Sequence, residues 1–211
     1  MSSQPTARGP YRTGIERRQQ IIASAAAVFT EFGYHGGSMR QIALQVGVTP
    51  AALTRHFESK ADLLVAVLEW WRNETDSVRR PDVHGLAYFA ELRSVMRYHL
   101  DHRGLLELFL TLSTEAINTS HPAAAFVRAR YARMSGDLSR ELATAVDQGE
   151  VRPLSTAEIE RDCRALMAVM DGVELQWLLD PSLDLLALFD IGFERISDGW
   201  QRDPRRALSR T

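Results

Sequence analysis

Between Met39 and His56 the chain carries two apolar-patterned stretches, 39–46 and 50–56, separated only by Gly47-Val48-Thr49. Helices of seven or eight residues do not persist alone in water, because nucleation costs more than so few hydrogen bonds return. They must therefore pack on each other and on longer neighbours. A three-residue link forces a steep crossing, the geometry of a helix-turn-helix, with glycine where the chain must turn left-handed. Ile42, Val46, Val48 and Leu53 supply the contacts of the pair, and Ala43 is small where the helices approach. Packing Leu53 and Phe57 inward leaves Thr49, Pro50, Ala51, Thr54 and Arg55 on the outer face of the second helix. That face is uncrowded apart from one arginine and suits a major groove, where arginine reads guanine O6 and N7. An antiparallel pair inside an ordinary bundle explains Val46 and Leu53, but not why a cap, a glycine turn and basic residues coincide.

Taken as an average, a formal net charge of −2 argues against a polyanionic partner; mapped along the chain, it does not. Residues 1–60 hold Arg8, Arg12, Arg17, Arg18, Arg40, Arg55 and Lys60 against Glu16, Glu31 and Glu58, a balance of +4. The remaining 151 residues hold 18 basic and 24 acidic side chains, a balance of −6. A basic quarter on an acidic body points to an anion-binding head, with DNA or a membrane surface as the usual partner. All basic residues but one are arginine, and the exception is Lys60.

Nearly every other long segment repeats with helical rather than alternating periodicity, which gives an all-α chain. Thr13-x-x-Glu16, Ser38-x-x-Gln41 and Ser155-x-x-Glu158 fit the capping box, Thr49-Pro50 places a cap before a first-turn proline, and Ser59 precedes a helix with Asp62 in its first turn. Gly33, Gly36-Gly37, Gly47, Pro81, 149–153 and Pro181 mark stops. About nine helices follow, over 14–32, 39–46, 50–56, 60–79, 84–102, 105–119, 122–148, 156–179 and 183–200. The divisions are a disordered arm over 1–12, a helix-turn-helix head over 13–59, an effector and dimerisation body over 60–201, and a flexible Arg-rich tail over 202–211. No apolar run approaches the eighteen or so residues of a membrane span, and the first fourteen lack the apolar stretch of a signal peptide, so a cytoplasmic location is expected. One cysteine, Cys163, excludes an internal disulfide framework and a multi-Cys zinc site.

The run Ile21-Ile22-Ala23 through Phe29, Phe32-Gly33-Tyr34, Ser38-Met39-Arg40-Gln41-Ile42-Ala43, Gly47-Val48 and Leu53…His56-Phe57-Glu58-Ser59-Lys60-Ala61-Asp62-Leu63-Leu64 resembles the DNA-binding domain of the TetR family. These are dimeric, one-component bacterial transcription regulators, mostly repressors. The resemblance covers about fifty consecutive residues in order and spacing. It implies phosphate or base contacts from Ser38, Arg40 and Gln41, and a recognition helix Pro50–His56 entered through Thr49. Lys60 aligns with a family lysine at the start of the fourth helix. An ammonium there opposes the helix dipole, which fits a phosphate nearby. Two departures bear on the operator: Thr54 stands where members carry an aromatic residue, and Pro50 and Ala51 replace the usual basic residue and glycine.

Over 60–211 the chain lacks a catalytic constellation. His84, His99, His102 and His121 are scattered; His99-x-x-His102 has helical spacing but no third ligand, so neither a metal nor another cofactor is expected. Serines have no base partner, and Cys163 sits on an apolar face as a core residue does. Trp71, Phe89, Met96, Phe109, Leu112, Tyr131, Met134 and Met167 are aromatic and flexible side chains suited to line a bundle cavity for a small, largely apolar effector. Asp171, Glu174 or Glu115 would select a cationic ligand if they point inward. Ile159, Cys163, Leu166, Met170, Val173 and Trp177 alternate spacings of four and three, and Leu185, Leu188, Phe189, Phe193, Ile196 and Trp200 spread over more than one face. One side of these helices would face the body and another a second copy, with Leu166, Met170, Val173, Trp177, Phe189, Phe193 and Ile196 at the seam. The resemblance implies the same homodimer through the last two helices. Two such heads would read a near-palindromic double-stranded DNA operator. The alternative is a helical protein-interaction module whose basic N-terminal face meets an acidic partner.

Overall fold

The computed structural model describes residues 10–201. Their elements are α1 (Pro10–Gly36), α2 (Met39–Val46), α3 (Pro50–Thr54), α4 (Lys60–Ser77), α5 (Leu86–Asp101), α6 (Arg103–Glu115), α7 (Ala124–Asp147), α8 (Thr156–Leu179) and α9 (Leu185–Ser197), then a 3-10 turn over Asp198–Trp200. No strand occurs among the described residues, and no helix there is long and apolar enough to cross a membrane.

At Ser38, Gly47 and Ser155 the expected boundaries match. Ser38 accepts from the Gln41 N–H and opens α2, while Gly47, at φ 74° and ψ 36°, closes it. The Val48 and Gly47 amides bond back to the Ala43 and Leu44 carbonyls, the paired return bonds of a Schellman ending. Ser155 and Glu158 complete a reciprocal capping box at α8. The box at Ser38 is half formed, because Gln41 Oε1 accepts from the Ser38 hydroxyl at 2.7 Å.

Other boundaries differ. Helix α1 starts at Pro10, inside the arm expected over 1–12, so Thr13 lies within the helix rather than before it. Proline at the first helical position supplies a preset φ and lacks only an amide that would have no partner. Residues 1–9 and the tail expected over 202–211 lie outside the described residues. Helical geometry breaks at Gly33, with φ 69° and ψ 174°, as its glycine forecast, and a further turn runs on to Gly36. Helix α3 ends at Thr54, so Arg55 and His56 form a turn. Helix α9 stops at Ser197 and tightens into the 3-10 turn that buries Trp200.

One apolar core runs through the chain. In the head, Ile21, Ala25, Phe29, Ile42, Leu53, Leu63 and Leu64 are at most 1% exposed, each large member worth roughly 1.5–3 kcal/mol of burial. The same core continues through Trp71, Phe89, Met96, Leu106, Leu138, Leu166 and Phe189 to Trp200. Helix α1 packs on α2, α4 and α6, so the head sits on the body through α4 and α6. At the second joint Gly104 lies so near Thr30 that a Cβ there would meet Thr30 Cγ2 at 2.3 Å. Helices α5 to α9 form the body, with α8 packed on α6, α7 and α9.

Candidate nucleic-acid interface and ligand cleft

The two short helices present one face inward and one outward. Leu53 and Phe57 are buried, whereas Arg40, Gln41, Thr49, Pro50, Ala51, Thr54 and Arg55 are exposed and Ser38, His56 and Lys60 half-buried. The expected contact residues are thus all outside the core. Their side chains are not all uncommitted. Thr49 Oγ1 accepts from the Ala52 N–H at 3.1 Å, and the Thr54 hydroxyl donates back to the Ala51 carbonyl at 3.1 Å. That bond keeps Thr54 short of the reach of an aromatic side chain. Arg18 of α1 lies over the Phe57 ring, 4.4 Å from its centroid, which puts another guanidinium beside the motif.

Lys60 has partners within the chain. Its Nζ donates to the His35 carbonyl at 3.3 Å and lies 4.6 Å from the Tyr34 ring centroid. A carbonyl and an aromatic face offset the unfavourable dipole, so a phosphate is not required to explain an ammonium at the α4 N-terminus.

The body holds an open cleft lined from α4, α5, α6, α7 and α8. Of the residues expected to line it, Phe109, Tyr131, Met134, Asp171 and Glu174 do so. Trp71 stands behind this wall, its ring centroid 5.2 Å from Phe109 and 5.3 Å from His99. Phe89, Met96, Leu112 and Met167 are buried in the core and do not reach the cleft. Phe89 instead packs against Trp200 and Phe193, beside the 3-10 turn.

The wall sets charged side chains among a largely apolar surface. It includes Arg72, Thr75, Asp76, Arg79, Tyr88, His99, Arg130, Arg133 and Asp137, none of which was expected there. One signal was available: Val127, Tyr131, Met134 and Leu138 recur at helical spacing, and Arg130 shares the turn of that stripe. Asp171 and Glu174 do point inward, but both are already engaged. The Tyr131 hydroxyl donates to Asp171 at 2.8 Å, and the His99 Nδ1–H faces Glu174 Oε1 at 2.6 Å, both side chains 4% exposed. Burial pushes the Asp171 carboxyl above the usual range, against the pull of the Tyr131 hydrogen bond. Burial and Asp171 raise the Tyr131 phenol in turn.

Glu115 lies elsewhere, at the joint of head and body. With His35 and His121 it brings three candidate ligand atoms within 4.8 Å of one another. The Ala123 N–H donates to His121 Nδ1 at 3.2 Å, which in the neutral ring places the proton on Nε2, the atom facing Glu115 at 3.2 Å. Neither His121 Nε2 nor Glu115 Oε2 has a hydrogen-bond partner among the described residues. His99 and His102 diverge: His102 is exposed and donates from Nδ1 to the Tyr98 carbonyl.

The expected dimer seam divides in two. Leu166, Met170, Trp177 and Phe189 are at most 7% exposed, and Met170 lines the cleft, so these residues are covered within the chain itself. The four-three spacing reported close packing correctly but not whose surface does the covering. Val173, Phe193 and Ile196 are half-buried. On α8 and α9 the large apolar residues left open are Leu175 (51%), Leu179 (79%) and Ile191 (48%). With Ala168 and Gly172, Leu175 and Leu179 form an unbroken stripe along α8, and Ala187 and Ile191 a shorter one on α9.

Comparison with known proteins agrees with this geometry. The family described as bacterial regulatory proteins, tetR family, matches residues 21–67. The transcriptional repressor KstR2 of Rhodococcus jostii is 30% identical over 109 residues, 52% of this chain and 47% of that protein, so the alignment spans about half of that relative. The probable transcriptional regulator ArpR of Pseudomonas putida is 30% identical over 192 residues, covering 81% of this chain and 85% of that one. A TetR transcription regulator from Haloarcula marismortui superposes with a TM-score of 0.75 at 16% identity, over 89% of this chain and 100% of that chain, which is a likeness of fold. The chain belongs to the TetR family of bacterial regulatory proteins.

Proposed function

We propose that this chain is a cytoplasmic, homodimeric repressor that holds a near-palindromic operator and lets it go when a small molecule enters the body. The carrying observation is the helix-turn-helix with its apolar face buried and Arg40, Gln41, Thr49, Pro50, Ala51, Thr54 and Arg55 exposed together. Arg40 and Arg55 are the candidates for base or phosphate contact. The exposed stripes of α8 and α9 are the candidate dimer surface, and a partner there would place two heads about one helical turn apart, roughly 34–36 Å.

Helix α4 supplies a route from cleft to head. Leu63 and Leu64 pack in the head core, while Trp71 backs the cleft and Arg72, Thr75 and Asp76 line it. About eleven residues, roughly 17 Å of helix, separate Lys60 from Trp71. A ligand that displaces the far end of α4 therefore moves the element on which the head sits. It need bind the DNA-incompetent arrangement only about 1.4 kcal/mol more tightly to shift the ratio tenfold.

The test is a titration of the full chain with DNA fragments selected from a random pool. Arg40→Ala or Arg55→Ala should weaken selected binding by about 1–3 kcal/mol at a base contact, or shallow the salt dependence by about one unit at a phosphate contact. Unchanged affinity and salt slope in both variants would remove this face from the reading.

A further inference from the structure

Every carboxylate on the cleft wall already has a donor. Asp76 accepts from Arg79 at 2.8 Å, Asp137 from Arg140 at 2.5 Å, Asp171 from Tyr131 and Glu174 from His99. Of the wall's guanidiniums, Arg72 and Arg79 have partners and Arg130 and Arg133 do not. Arg130 makes no hydrogen bond or salt bridge to any described residue; it rests on aromatic faces, 4.6 Å from the Phe109 centroid and 5.7 Å from that of Trp71. Arg133 likewise has none. Thr75 Oγ1, on the wall, and Trp71 Nε1, behind it, are buried without partners. Two guanidiniums and the Trp71 N–H thus lack an acceptor.

A guanidinium resting against two rings is positioned before any ligand arrives, and its N–H groups remain for a forked contact. Leaving such a charge in a desolvated site without an acceptor is costly, and burial accordingly lowers the Arg130 pKa against the pull of Glu174 and Asp76. A neutral apolar ligand would worsen that desolvation. A cation would meet carboxylates already engaged and two arginines that repel it. Beside the charged groups lie Leu92, Val95, Phe109, Leu138 and Met170, an apolar surface for the rest of a ligand.

We propose that the effector is an amphipathic anion, one carboxylate or phosphate on an apolar body, with Arg130 as the anchor of its head group and Arg133 as a second cation. This rests on the reading of the chain as an effector-responsive regulator, and it replaces the largely apolar or cationic ligands that the sequence suggested.

The experiment compares four probes of equal chain length on the full protein by calorimetry: octanoate, octyl phosphate, octan-1-ol and octylammonium. At least one anion should bind tenfold or more tightly than the alcohol, octylammonium should not compete, and the tighter anion assigns the head group. Arg130→Gln should reduce the anion's affinity at least tenfold while leaving octan-1-ol unchanged. Should that variant not fold, the head-group series on the natural protein decides alone. The proposal is overturned if the alcohol matches both anions, if octylammonium binds best, or if none of the four binds. DNA binding measured without ligand on the same preparation separates the two failures. If it persists, the regulator reading stands and only the anion falls; if it is absent, the DNA-binding reading itself fails.

Discussion

Gly192 of α9 faces Val169 of α8, and a Cβ added there would lie 2.4 Å from Val169 Cγ1, with Cγ2 at 3.4 Å and Cβ at 3.5 Å. Ordinary carbon contacts sit near 3.5–4.0 Å, so the helices must separate by about 1 Å or Val169 must leave its rotamer. Valine has one strongly preferred rotamer in a helix, which closes the cheap escape. Overpacking of this kind costs typically about 1–3 kcal/mol. Alanine also gains about 1 kcal/mol of helix propensity over glycine, so Gly192→Ala alone mixes two opposed effects. Gly136 on α7 is the control, because a Cβ there meets nothing within 4 Å and the propensity gain stands by itself. In thermal unfolding Gly136→Ala should raise Tm, while Gly192→Ala should fall below it by about 1–3 kcal/mol, at about 2–4 °C per kcal/mol for a chain of this size. Gly192→Ala as stable as Gly136→Ala would show that the α8–α9 contact is looser than described and refute the reasoning.

Three further outcomes are expected. Cys163 is fully buried and burial pushes its thiol up to about 11, so iodoacetamide at pH 8 should label it only as fast as the protein unfolds; full labelling of the native protein within minutes would contradict this. Glu158 is held down to about 2 by the Ser155 N–H, Arg152 and the Ser155 hydroxyl, so its stabilisation is complete above the ordinary value of 4.5 and is lost as pH falls from 4.5 toward 2. Glu158→Gln should flatten that stretch of a stability–pH profile, and an unchanged profile would remove Glu158 as its source. Aspartate at both Leu175 and Leu179 should yield a folded monomer in sedimentation, since both are open in the single chain; an unaltered dimer would move the interface off this stripe.

What the sequence made legible follows from the range of the forces involved. Helix α2 and helix α8 could be bounded to the residue, because Ser38, Gly47 and Ser155 act on amides within a turn or so of themselves. The head's two faces were equally readable, since Leu53 and Thr54, neighbours within α3, differ in burial by helical phase. Long-range consequences were not. Nothing within one turn of Arg130 announces that Phe109 and Trp71, on two other helices, will hold its guanidinium at the cleft. Periodicity likewise marked Leu166, Met170, Trp177 and Phe189 for close packing, but neighbouring helices of the same chain cover them, and the open stripe falls to Leu175, Leu179 and Ile191. Lys60 shows the same limit: its dipole problem was visible, whereas the His35 carbonyl that answers it is twenty-five residues away.

The central claim is a pair of heads joined through the body and set on one stretch of DNA. Sedimentation of the full chain with a duplex carrying its selected sequence measures this directly. Two chains should bind per duplex, with half-sites about one helical turn apart and an affinity that falls steeply as salt rises. One chain per duplex, or an affinity indifferent to salt, would contradict the account.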